Sequence, residues 1–385
     1  MRISGTAPVY ENNEAACKRA EAEAIHAKLH ESKQPPSKKE VPTYDEWFNG
    51  RFWKEWVIGE RNKPSERRSK EIIFRVHLKP ELGHLRLDEI NAEQVQKLRA
   101  KLVDEKKLSD KRINNIMVVL SKSLRYAVDV ELIDKAPKCR VKRVERAEIE
   151  AWTFDEYVRI LDAAKREGPF WYAAACLGGE AGLRIGEIRA LRWREDVDMI
   201  ARTVSVNQQM GNGRIDLGGG NAAVKQFTTT PKGRTRRTIP MTGTLFAALK
   251  SLDVVREGYV VRNTDGTAMS DAKTSHETYR ICRKAGLPER GWHVLRHAFG
   301  THAARFGVNP WQLMEWMGHK RIDETMGYVH LVERKPRPLP SELVAAGMKE
   351  MDPSNRVLAM LSARAGLKLA KSVEGAQTTE TMSAG

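Results

Sequence analysis

The chain has 385 residues, enough for two or three domains that each bury a core of their own. With 41% hydrophobic and 30% charged residues it reads as a folded soluble protein; no apolar run reaches the length of a bilayer span, and the N-terminus lacks the apolar stretch of a secretion signal. A formal charge of +16 points to a polyanionic partner, nucleic acid before membrane, because no basic amphipathic anchor is visible.

Residues 1–42 contain a Glu/Ala/Lys-rich stretch, Asn13 to Lys33, that reads as one polar helix before a proline-marked linker. Residues 43–134 turn amphipathic. A Trp/Phe stripe (Trp47, Phe48, Trp53, Trp56) follows a Thr cap candidate, and three more helical segments open at Ser65, Asn91 and Ser109. Four helices predict a small bundle. Residues 135–150 form a basic connector, with six Lys/Arg between Lys135 and Arg146, suited either to a phosphate backbone or to solvent.

Residues 151–334 mix helical segments with short Thr- and Val-rich runs that read as strands, at 201–210, 225–230 and 236–241. The expectation is an α-rich α+β unit, a helical body with a small antiparallel sheet. Residues 335–385 begin with a prolyl segment, continue with a helix candidate at 341–351 and end in a polar stretch that reads as disordered. The apolar stripe Leu343, Val344 and Met348 suits docking either on a neighbouring protomer or on its own domain. The four cysteines lie far apart, which disfavours a disulfide or zinc framework and favours a reducing compartment.

Four segments carry polar groups that apolar patterning does not explain. Arg184 follows Gly182 at the start of a helix, a place where an anion meets free N–H groups. Lys232 occupies a turn between two strand-like runs, within a stretch of five basic residues and no acid from Lys225 to Arg237. His293 and Arg296 share a helix face. His319 follows a Gly, and Tyr328 lies nine residues on. His293, His297 and His302 also invite a zinc reading, but Arg296 repels a cation and no Cys or carboxylate lies near, so His297 and His302 read as structural. Together the groups describe phosphoryl transfer without a metal, with Arg forks stabilising the phosphate, a Tyr nucleophile, and His and Lys moving protons.

The succession GLRIGEIRAL, Lys232, HVLRH, MGH and GYVH resembles the catalytic signature of tyrosine recombinases of the phage-integrase type, over residues 151–334. The preceding helical unit resembles their SAM-like core-binding domain, and residues 1–34 only the helical end of an arm-binding domain. The resemblance implies that Arg184 and Arg296 hold the scissile phosphate and that Lys232 is the general acid, with Lys225 as fallback because Pro231 precedes it. It further implies that His293 assists proton transfer, His319 donates to a phosphate oxygen and Tyr328 forms a 3′-phosphotyrosyl link, with Glu187 supporting the first Arg. Met317 stands where Leu is usual, and Gly327 precedes the nucleophile. The activity implied is site-specific DNA recombination in a bacterial cytoplasm, by a homotetramer on double-stranded attachment sites, with no cofactor, ATP or metal. A host DNA-bending protein and an excision factor are the accessory partners to expect. A type IB topoisomerase shares this chemistry, but the helical N-terminal unit and the tail after Tyr328 favour a recombinase. A DNA-binding relic is disfavoured because no reactive group is missing, and a metal-dependent nuclease because there is no carboxylate cluster.

Overall fold

The computed structural model describes residues 14–31, 40–145, 148–218, 221–231, 236–252, 256–336 and 338–367. The chain divides into two compact units, Met1–Val144 and Glu145–Gly385. Among the described residues no helix is long and apolar enough to cross a membrane.

In the first unit the polar stretch forms α1 (Glu14–Glu31). Thr43 then caps α2 (Tyr44–Trp47) in a reciprocal box with Glu46, and the rod continues as a wider π-type helix, Phe48–Ile58, kinked at Gly50. The next rod comprises α3 (Pro64–Ile73), a π-type turn (Phe74–Leu78) and α4 (Lys79–Leu82). Its cap position is Lys63 rather than Ser65, because Pro64 lacks an N–H and takes the first helical place. Asn91 and Ser109 do cap α5 (Ala92–Asp104) and α6 (Asp110–Asp129). The aromatic stripe supplies the core: Trp47, Phe48 and Trp53 are buried, Phe48 stacks on Phe74 at 3.9 Å, and Tyr44 and Trp47 bond Ser123 of α6. Each large side chain so buried contributes roughly 1.5–3 kcal/mol. Trp56 stays partly exposed beneath Lys70 and Lys122. The first part of the basic connector is fastened to this unit, because Asn114 exchanges two hydrogen bonds with the Lys142 backbone and Arg99 donates to Arg140 O at 2.6 Å.

The second unit is built on α7 (Phe154–Glu167), capped by Thr153 with Glu156, and on α8 (Pro169–Glu180), whose Ala-rich run is buried all round. Next come α9 (Ile185–Ala190), α10 (Trp193–Asp196), β1 (Val197–Asp198), β2 (Thr203–Val206), β3 (Gln209–Gly218), β4 (Asn221–Thr229), β5 (Arg237–Pro240) and α11 (Gly243–Lys250). The helices then run α12 (Asp271–Lys284), α13 (His293–Arg305), α14 (Pro310–Met317), α15 (Ile322–Arg334), α16 (Ser341–Met348) and α17 (Pro353–Ala363).

The expected antiparallel pairing is present. There are two antiparallel sheets, β1–β2–β5 and a β3–β4 ribbon. In these sheets β4 pairs with β3, and β5 with β2. Lys232 itself lies outside the described residues, and the fallback Lys225 sits on β4 opposite Gly213.

The tail also departs from expectation. Residues 353–363, for which no element was expected, form α17, whose Val357, Met360 and Leu361 join Leu343 of α16 in the core of their own unit. The polar Gly/Ser/Thr end expected to be disordered lies outside the described residues. Met348 and Val344 face outward instead. Beyond α17, Arg364 is fully buried. It donates to Gly179 O, to Glu180 Oε1 at 3.2 Å and to His302 Nδ1 at 2.6 Å, over the ring of Tyr157. Glu180 also accepts from Tyr157 (2.5 Å) and Thr242 (2.7 Å), so its buried charge is fully paired.

Candidate active site

The chain enters the site at Gly182, whose φ of 65° turns the backbone and whose missing Cβ leaves room for Phe299. This turn puts Arg184 at the N-cap of α9. Its own N–H donates to Glu187 Oε2 (2.9 Å), while its guanidinium donates to Glu187 Oε1 (3.0 Å) and Gly318 O (3.3 Å). Arg296, in the first turn of α13, is 1% exposed and donates to the carbonyls of Gly182 and Met317, each at 2.6 Å. Burial and the neighbouring Arg184 push this guanidinium down to about 9, so it remains charged at neutral pH.

A third guanidinium stands behind these two. Arg237, the first residue of β5, grips both oxygens of Glu187 (2.6 and 3.2 Å) and donates Nε to Trp316 O. Glu187 is fully buried, which by itself raises its pKa. The hydrogen bonds and charge of Arg237, with Arg184 and Arg296, outweigh that and hold it at about 2. Gly318 ends α14 in the left-handed region (φ 61°), and a Cβ there would stand 2.9 Å from Arg237 Nη1.

Tyr328 lies in the middle of α15 with 3% of its surface exposed, and Gly300 of α13 lets its ring approach, since a Cβ there would meet Cε1 at 2.8 Å. Its hydroxyl lies 2.8 Å from His297 Nδ1. Burial raises the phenol to about 12 despite Arg296 and Arg184, so it is protonated at neutral pH. His319 stands parallel to the Tyr328 ring at 6.0 Å, with Nδ1 2.8 Å from the Thr325 hydroxyl. Burial, followed by Arg296 and Arg184, pushes His319 down to about 3, and burial with Arg296 takes His297 to about 4, so both rings are neutral. His293, exposed at the start of α13, sets its ring at right angles to His297 with centroids 4.5 Å apart.

Arg184, His293, Arg296, His319 and Tyr328 thus line one cleft of about 850 Å³. Glu187 lies beneath it, and Lys232 lies outside the described residues. Two placements go beyond the sequence reading. His297 lines the cleft with Nδ1 on the Tyr328 hydroxyl, whereas His302 points away, bonding Trp152 O and Arg364. Arg237, taken for one charge in a basic turn, is a buried member of the site, as the alternation of β5 allows: Arg237 and Ile239 face inward together. Among the described residues, no three His, Cys, Asp or Glu side chains gather as metal ligands. The arrangement can hold a tetrahedral anion between two anchored guanidiniums, beside a hydroxyl nucleophile and neutral imidazoles.

Residues 150–335 match the phage integrase family, and residues 44–103 match the N-terminal SAM-like domain of phage integrases. A tyrosine recombinase XerC-like protein of Caldanaerobacter subterraneus is 28% identical over 312 residues, spanning 74% of this chain and 78% of that one. The ICEBs1 integrase of Bacillus subtilis is 24% identical over 302 residues, 73% of this chain and 78% of its own. Among solved structures, the Tn1549 transposon integrase in complex with transposon right end DNA aligns with a TM-score of 0.60 and 20% identity. That alignment covers 80% of this chain and 99% of the other. A lambda integrase tetramer bound to a Holliday junction gives 0.58 at 17% identity, over 86% and 90%.

Proposed function

We propose that this chain, which belongs to the phage integrase family of tyrosine recombinases, cuts and rejoins double-stranded DNA at specific sites through a covalent 3′-phosphotyrosyl intermediate. The observation that carries the reading is the convergence of Arg184, Arg296 and the Tyr328 hydroxyl on one cleft, with both guanidiniums held by backbone carbonyls. Arg184 and Arg296 bind the non-bridging oxygens of the scissile phosphate and stabilise the charge that grows on them. The Tyr328 oxygen forms the new P–O bond, and the 5′ sugar oxygen leaves with a proton from Lys232. Thr325 donates to His319 Nδ1, leaving Nε2–H to bond a phosphate oxygen, and His293 carries protons at the cleft mouth. Glu187 keeps Arg184 in place.

The ester to Tyr328 conserves the energy of the broken bond, so the reverse attack by a second strand reseals DNA without ATP. The helical unit, residues 43–134, and the catalytic unit, 151–334, each supply DNA contacts, joined by the basic segment 135–150. The assembly is a homotetramer on attachment sites in the bacterial cytoplasm, serving integration and excision of a mobile element. A host DNA-bending protein and an excision factor assist it.

A nicked suicide substrate, labelled and incubated with the protein in EDTA, tests the chemistry. A covalent protein–DNA band on a denaturing gel is expected. An absolute need for a divalent cation, or no adduct on any site cloned from the flanks of the gene, would refute the mechanism.

A further inference from the structure

The nucleophile needs somewhere to send its proton. Tyr328 is protonated at neutral pH, buried, and held by tight packing against Gly300. Among the described residues its hydroxyl meets one nitrogen within bonding distance, His297 Nδ1 at 2.8 Å. The other imidazoles of the cleft are placed differently. His319 has Nδ1 2.8 Å from the Thr325 hydroxyl and lies parallel to the phenol ring with centroids 6.0 Å apart, His330 has Nδ1 3.1 Å from Glu333, and His293 meets His297 edge to face at 4.5 Å. Among the described residues His297 is thus the imidazole bonded to the nucleophile, and its neighbour His293 is exposed.

From this geometry we infer that His297 is the catalytic proton acceptor for Tyr328. The inference rests on the recombinase reading above. As the Tyr328 oxygen forms its bond to phosphorus, the O–H bond breaks and its proton passes to His297 Nδ1. The electron pair of the P–O bond to the 5′ sugar leaves with that oxygen, which is protonated separately by the general acid. Empty, the cleft suppresses this basicity, because burial and the charge of Arg296 disfavour an imidazolium at His297. A phosphodiester seated on Arg184 and Arg296 brings a negative charge that offsets them. The base is thus switched on by the substrate it serves, and the free enzyme keeps a protonated, unreactive phenol. After cleavage the imidazolium is positioned to return its proton to the tyrosine oxygen during religation.

The test follows the rate of covalent adduct formation by the full-length chain on the suicide substrate and on the same substrate with sulfur at the 5′ bridging position. A sulfur leaving group needs no proton, so the second substrate bypasses the general acid and leaves nucleophile activation exposed. His297→Ala should bind DNA in a band-shift assay as the wild type does, yet form adduct about 10²–10³-fold more slowly on both substrates. His297→Asn places an oxygen near the Nδ1 position but cannot take the proton. It should be as slow as Ala, and it carries the test alone if the Ala variant does not fold. Wild-type rate in His297→Asn would show that a hydrogen bond suffices and would overturn the inference. So would adduct formation by His297→Ala within threefold of wild type, or its restoration by the sulfur substrate. Failure of the wild type itself to form an adduct would instead overturn the recombinase reading.

Discussion

Replacing Arg237 by Ala tests whether the phosphate-binding floor is held together by a buried ion pair. Arg237 is 5% exposed and Glu187 fully buried, with their closest atoms 2.6 Å apart. Removing one partner of such a pair leaves the other desolvated and uncompensated, a loss of about 3–5 kcal/mol. An independent route gives a similar magnitude. Holding Glu187 at about 2 instead of its ordinary 4.5 corresponds to about 3 kcal/mol at neutral pH. Arg184, still bonded to Glu187, keeps the loss toward the lower figure. For a unit of this size the expected fall in Tm is on the order of 10 °C. Calorimetry of the full-length protein should show one transition moving and the other fixed, because the side-chain hydrogen bonds of Arg237 among the described residues lie within its own unit. The pH dependence has a definite sign. The folded pKa of Glu187 is depressed, so its contribution is complete above about 4.5 and lost as pH falls toward about 2. The gap between wild type and variant should therefore narrow across that window. A fall in Tm below about 2 °C, or a gap that widens in acid, would refute the reasoning.

Tyr328→Phe should abolish the covalent adduct while leaving band-shift affinity within about twofold; it removes one hydrogen bond to His297 and should cost stability about 1 kcal/mol. Gly318→Ala forces a Cβ onto Arg237 at a left-handed position and shifts the carbonyl that Arg184 uses. Adduct formation should fall at least tenfold and stability by about 1–2 kcal/mol, which thermal denaturation beside the gel assay will show. Truncation after Pro340 removes Arg364 and leaves Glu180 and His302 buried without it. The shortened protein should lose the calorimetric transition of its catalytic unit near 37 °C, whereas a tail that served only a neighbouring protomer would leave that transition unmoved.

The parts of the site that are local in sequence were open to reading. Arg184 and Glu187 sit three apart across a helix start beside Gly182, and the resemblance of that segment to tyrosine recombinases implied their pairing. The caps at Thr43, Asn91 and Ser109 are equally short-range. His297 escaped because its partner lies 31 residues away and meets it only when α15 packs on α13; alone, it is one of three histidines on a largely buried helix. Arg237 escaped through its neighbours. Basic residues at 232, 234 and 236 made the run look solvated, and the strand alternation that buries Arg237 with Ile239 was outweighed by that charge. The α17 helix and Arg364 followed a prolyl segment and preceded a polar end, so composition masked an apolar face at Val357, Met360 and Leu361.

The two guanidiniums that would grip the phosphate are aimed by the main-chain oxygens of Gly182, Met317 and Gly318. A carbonyl is common to every amino acid, so this aiming apparatus leaves almost no trace in side-chain identity. Any residue at position 317 would offer Arg296 the same acceptor. An alanine scan there would report the lost packing of a fully buried side chain and nothing of the carbonyl. Its contribution would surface only through backbone chemistry, such as an ester in place of the amide that follows residue 317. The ester carbonyl is a poorer acceptor, and the substitution would loosen Arg296 while altering no side chain.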